Sequence, residues 1–156
     1  MTARGFTLLE VLITLVILAI GMLGLANLQS KIHVTEVESY QRAHAVLLLQ
    51  DIIDRINTNR GDAGTYASDD VLGTDTDEDC TDATLDGYAA AKRLAHRDRC
   101  QWSAALLGAS EQRNGASSGG MIAARGCIEQ LQAPDPTVGV CTPGIYRLTV
   151  AWQGLH

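Results

Sequence analysis

Aromatic side chains are scarce, with one phenylalanine, two tryptophans and four tyrosines in 156 residues. A domain this poor in large rings has little bulk to bury and needs other support. Lysine is scarcer: Lys31 and Lys92 are two of only twelve basic residues, and the formal charge is −6. No basic cluster could follow a phosphate backbone, which argues against nucleic acid as a partner. Proline is absent before Pro134, which permits a very long N-terminal helix. There is no Cys-x-x-Cys pair, glycine-rich phosphate loop or Ser/His/Asp arrangement, and His33, His44, His96 and His156 are scattered. Nothing here favours an enzyme, and no cofactor is expected.

What is present begins at the N-terminus. Phe6 to Leu28 is a run of 23 residues in which Glu10 is the only charge. As a helix it spans a hydrocarbon core of roughly 30 Å. Met1 to Gly5 form a short leader with Arg4 as its charge, favouring an inside N-terminus and an exported remainder. Cys80, Cys100, Cys127 and Cys141 all fall in that remainder. An even count in an exported domain reads as two disulfides with three possible connectivities. Cys80–Cys100 and Cys127–Cys141 are expected, being sequence neighbours that would each staple one loop.

After the apolar run, Ala45, Leu48, Leu49, Ile52, Ile53 and Ile56 recur at three- and four-residue spacing, with Gln50, Asp51, Asp54 and Arg55 on the other face. The helix from Phe6 to Asn59 is thus predicted at ~80 Å, with Gly61 as its cap. Gly21 and Gly24 each weaken a helix interior by about 1 kcal/mol in water. Residues 61–82 read as a loop, Leu85 to Arg97 as a helix, and Trp102, Leu106 and Leu107 as part of a second short helix. Asn114 to Gly120 reads as a flexible connection, Met121 to Gln132 as one or two strands, and Ala133 to Gly144 as turns. Tyr146, Leu148, Val150 and Trp152 alternate with polar or small residues, as in a half-buried strand. The fold class expected is α+β: a long N-terminal α-helix whose second half packs on a small antiparallel β-sheet.

Gly5-Phe6-Thr7-Leu8-Leu9-Glu10, running directly into Val11, resembles the class III signal of type IV pilins and pseudopilins. The resemblance implies a leader (1–5) cut after Gly5 by prepilin peptidase, which also methylates the new amine of Phe6. It implies a transmembrane and filament-core helix (6–28), its amphipathic continuation (29–60) and a periplasmic globular domain (61–156). A charge in a lipid span costs about 2.5–3.5 kcal/mol, less near a helix end. Cleavage creates a cationic amine at Phe6, which Glu10 can pair with in its own chain or a neighbour's. In a bundle away from water such a pair also selects axial register. Competing readings are a secretory signal cut after Gly24-Leu25-Ala26, and a plain single-pass anchor.

Cys127-Ile-Glu and Tyr146-Arg-Leu-Thr-Val-Ala-Trp-Gln-Gly154 resemble PilV-type minor pilins, as does Gln101-Trp102. That implies a low-abundance subunit near the filament tip, with other minor pilins, the major pilin and the inner-membrane assembly platform as partners. Such proteins usually continue past this strand, so the sheet is expected to be short by a strand or the chain truncated. A pseudopilin of a type II secretion system is the alternative. A third reading is an adhesive or calcium-binding tip module. Asp69 to Asp86 holds eight acids and no base. Asp75, Asp77, Asp79 and Asp86 imitate a 1, 3, 5, 12 calcium loop. Cys80 stands where that loop needs glycine and Asp86 where it needs glutamate, so a solvated acidic loop is the better account.

Overall fold

A computed structural model describes Gly5 and residues 7–73, 88–109, 112–117 and 120–154. The chain divides into two compact units, Met1–Tyr40 and Gln41–His156. The helix α1, Leu8–Thr58, contributes to both. In the first unit every residue of α1 through Val37 is exposed, from Leu8 at 83 % to Val37 at 43 %. A helix apolar on all sides has no face to bury within its own chain.

In the second unit α1 buries one stripe: Gln41, Ala45, Leu48, Ile52 and Ile56. Spacings of three and four place them on one line, as expected. Leu49 is half-buried and Ile53 is 40 % exposed, at the stripe's margin. Gly61 does not cap the helix. It lies inside a 3₁₀ helix, Arg60–Tyr66, that follows Asn59 directly. The segment read as loop therefore carries a fully buried ring, Tyr66, with Ala63 beside it in the core.

The two short helices expected after residue 84 are one helix over the described residues, α2, Ala90–Leu106. Its buried face holds Ala95, Asp98, Arg99, Trp102, Ser103 and Leu106, so charged side chains share the stripe with the indole. Tyr88, inside the helix expected from Leu85 to Arg97, precedes α2 and is 52 % exposed, and Leu85 lies outside the described residues. Gly108 ends α2 at φ +81. Its N–H donates to the Ala105 carbonyl and that of Ala109 to the Ala104 carbonyl, both at 3.0 Å. This is the glycine-dependent Schellman closure.

The connection at 114–120 contains a hairpin. β1, Gln112–Arg113, pairs antiparallel with β2, Ala116–Ser117. Asn114 (φ 54) and Gly115 (φ 81) form the two-residue turn. Positive φ at both positions is what a type I′ turn requires. The larger ladder joins β3, Arg125–Gln132, to β4, Ile145–Ala151, with Ile128 opposite Leu148 and an irregularity between Gln130 and Gln132. Tyr146, Leu148 and Val150 are half-buried and alternate with exposed neighbours, as predicted. The other side of β3 meets residues 68–72: Leu72 bridges Gly126, and the Ser68 N–H donates to the Ile128 carbonyl.

Candidate functional site

The N-terminal site is built by the start of α1. Gly5 and Thr7 lie outside the helix and Leu8 is its first residue. The Thr7 carbonyl accepts the N–H groups of Glu10 (3.1 Å) and Val11 (3.3 Å), and its Oγ1 also accepts the Glu10 N–H at 3.3 Å. Thr7 is therefore the N-cap, and Thr7-x-x-Glu10 has the capping-box pattern. The Thr14 hydroxyl donates to the Val11 carbonyl at 2.8 Å, so this polar group in the apolar run is satisfied within the helix. Glu10 is exposed and its carboxylate makes no ion pair among the described residues. Phe6, the other half of the expected charge pair, lies outside them.

At the other end of α1, a polar lattice fastens residues 41–58 to α2. Arg55 lies half-buried between the helices. Its Nε donates to Asp51 at 2.9 Å, and its NH1 to Asp98 at 3.0 Å and Gln101 at 2.6 Å. Tyr66 donates its hydroxyl to the second Asp98 oxygen at 2.6 Å. Burial first, and then this bond, pushes the Tyr66 phenol up to about 12. Burial acts to lower the Arg55 guanidinium, but Asp51 and Asp98 outweigh it and raise it. Trp102 Nε1 donates to the Leu48 carbonyl at 2.9 Å, and Asn59 Nδ2 to the Ala91 carbonyl at 3.2 Å. Arg55 was expected on the solvent face. Asp98, Arg99 and Tyr66 were not singled out from sequence. The available signal was the i, i+4 spacing of Asp98 and Trp102, which puts a carboxylate on the indole's face.

Four more contacts fix the chain entering the acidic segment. Arg99 NH2 donates to Ser68 at 2.8 Å and approaches Asp70 at 3.4 Å. The Gly73 N–H donates to Ser103 Oγ at 2.9 Å, and its carbonyl accepts from Arg125 at 2.6 Å. The calcium candidates Asp75, Asp77, Asp79 and Asp86 lie outside the described residues, as do Cys80 and His156. Among the described residues no group of three His, Cys, Asp or Glu could hold a metal ion. His33 pairs with Glu36 at 3.3 Å, and His96 Nδ1 lies 3.9 Å from Cys100 Sγ.

Cys100 is disulfide-bonded. The expected Cys127–Cys141 bond is not formed, and both are free thiols. Cys127 pairs with Thr149 in the ladder, which then runs on to Gln132 opposite Ile145 before reaching the turn that holds Cys141. Those five steps at ~3.3 Å each put the sulfurs far beyond the roughly 7 Å Cα separation a disulfide tolerates. Sequence neighbours along one hairpin are not spatial neighbours unless their strands pair them.

A long N-terminal helix, apolar and exposed in its first unit, with a small antiparallel sheet in the second, defines an α+β, pilin-like protein. It is the one helix among the described residues long and apolar enough to cross a membrane. Residues 1–26 match the family model described as the prokaryotic N-terminal methylation motif, which takes in Gly5, Phe6 and Glu10. No curated protein and no solved structure matches the chain. The motif supports a type IV pilin or pseudopilin. It implies processing by prepilin peptidase and assembly with other pilins, and suggests a structural protein. With the apolar helix behind it, the motif fits a single-pass inner-membrane pilin.

Proposed function

We propose that the chain is a minor pilin of a type IV pilus that helps initiate assembly at or near the filament tip, and so supports motility and adhesion. The observation carrying this is the methylation motif running into a capped helix whose first thirty or so residues are exposed on every side. Such a helix can exchange lipid for the helices of neighbouring subunits. Glu10, without an ion pair among the described residues, is available for the Phe6 amine that cleavage creates. β4 leading into Trp152 supports the PilV-type reading. The domain would fold in the periplasm, with the disulfide at Cys100 formed there.

Deleting the gene tests this reading. Loss of surface pili and twitching, restored by the wild-type chain, is the expected result. Intact pili with lost exoprotein export would assign the chain to a type II secretion system instead. Normal pilus number with lost adhesion would make it a tip adhesin. Glu10→Val should insert in the membrane but fail to enter filaments; normal incorporation would refute the pairing role.

A further inference from the structure

We propose that Cys100 is the site at which this chain takes part in thiol–disulfide exchange, with His96 as the group that activates its sulfur. His96 Nδ1 lies 3.9 Å from Cys100 Sγ. The two are four residues apart on α2, which sets them one turn apart on one face. Both are half-buried, so the imidazole is held in place while a small disulfide can still reach the sulfur.

The charges around this pair favour a thiolate. Asp98 is engaged by Arg55 and Tyr66 on the buried face of α2, and Arg99 is directed to Ser68. Lys92, one turn before His96, and Arg97, one turn before Cys100, are exposed and leave a positive field on this side of the helix. From α1, the cation that reaches this part of α2 is Arg55, on Gln101. An imidazole within a positive field is the setting in which a thiol ionises and becomes reactive. Cys127 and Cys141 are free thiols, and neither meets an imidazole among the described residues. Arg125 and Arg147 share the Cys127 face of the ladder but are turned to the Gly73 carbonyl and to Glu129.

In the reduced chain, neutral His96 accepts the Cys100 thiol proton and the imidazolium stays beside the thiolate. That thiolate attacks one sulfur of an incoming disulfide. A bond from Cys100 to that sulfur forms, the incoming S–S bond breaks, and the other sulfur leaves as thiolate. A second cysteine of the chain then attacks the Cys100 sulfur and expels the remaining half. Two electrons pass from the chain to the incoming disulfide, and the two protons end on the two thiols released. The oxidant is a disulfide, of the kind an exported chain meets in an oxidising compartment. The proposal holds for any exported chain with this domain and does not need the pilin reading.

The test uses the full-length chain in detergent micelles, reduced, freed of reductant and mixed with glutathione disulfide at pH 7. Acid quenching and peptide mass spectrometry follow the loss of each free thiol. A roughly tenfold gain in thiolate is offset about threefold by its lower intrinsic nucleophilicity. His96→Gln should therefore slow loss of the Cys100 thiol about threefold and leave Cys127 and Cys141 at wild-type rates. His96→Lys, which restores a cation without the ring, should recover the Cys100 rate. An unchanged Cys100 rate in His96→Gln would overturn the proposal. So would equal slowing at all three cysteines, the sign of a general effect on the fold, or a His96→Lys chain as slow as His96→Gln.

Discussion

The indole of Trp102 stands between α1 and β3: its N–H donates to the Leu48 carbonyl at 2.9 Å, while its six-membered ring covers Gly126. A Cβ at Gly126 would lie 2.5 Å from that ring, closer than real contacts allow. Glycine here is required by the approach of the ring. Gly126→Ala should destabilise the domain by about 1–3 kcal/mol through overpacking. Trp102→Phe should cost a comparable amount by opening a cavity and losing the bond to Leu48. The double variant should cost less than the sum, because the smaller ring makes room for the methyl. A double-mutant cycle by chemical denaturation measures the coupling.

Arg55 and Asp98 form the charged contact between α1 and α2, with Asp98 the more buried partner. Arg55→Ala would leave the Asp98 carboxylate with Tyr66 alone, and should cost about 2–4 kcal/mol. Asp51→Ala, at the exposed end of the same guanidinium, should cost less than about 1 kcal/mol. Equal losses at the two acids would contradict the burial argument.

The buried Tyr66 phenol gives a pH signature. Its folded value is about 12 against 10.0 for a free tyrosine. Between those values the folded chain keeps a proton that the unfolded chain has lost. Stability is therefore complete below pH ~10 and falls as pH rises toward ~12. Tyr66→Phe should flatten that fall relative to wild type while lowering stability at neutral pH by about 1–3 kcal/mol. Melting temperature followed from pH 8 to 12 checks both effects.

Free and bonded cysteines should separate chemically. Thiol labelling of folded protein should modify Cys141, which is exposed, before the half-buried Cys127, and leave Cys100 unmodified until reduction. Cys127→Ser and Cys141→Ser should be tolerated. Cys100→Ser should cost about 3 kcal/mol, the scale for a closed loop of some twenty residues. Peptide mapping without reduction should show Cys100 joined to Cys80, the pairing its sequence position favours.

Periodic patterns were legible in the sequence. The apolar run from Val11 shows by its length alone, while the Ala45–Leu48–Ile52–Ile56 stripe and the alternation from Tyr146 to Val150 each follow from one repeating spacing. The α2 face was not, because Asp98 and Arg99 interrupt it. Both are buried through partners distant in sequence: Arg55 and Tyr66 for one, Ser68 for the other. Tyr66 was hidden in a segment of Gly, Thr and Asp whose composition signals loop. The hairpin at Asn114-Gly115 was too short for its strands to show alternation, although that dipeptide is itself a turn signal. The Cys127–Cys141 expectation failed because sequence proximity says nothing about position along a ladder. At the N-terminus, the methylation motif was legible as a processing signal, while its second use of Thr7 as a helix cap needed the hydrogen bonds.

The central claim is that the bond after Gly5 is cut and the helix beginning behind it becomes an assembly element. Intact-mass and N-terminal peptide mass spectrometry of the protein from cells tests this directly. The account predicts a mature chain beginning with N-methylated Phe6. A chain beginning at Asn27, or one retaining Met1, would contradict it.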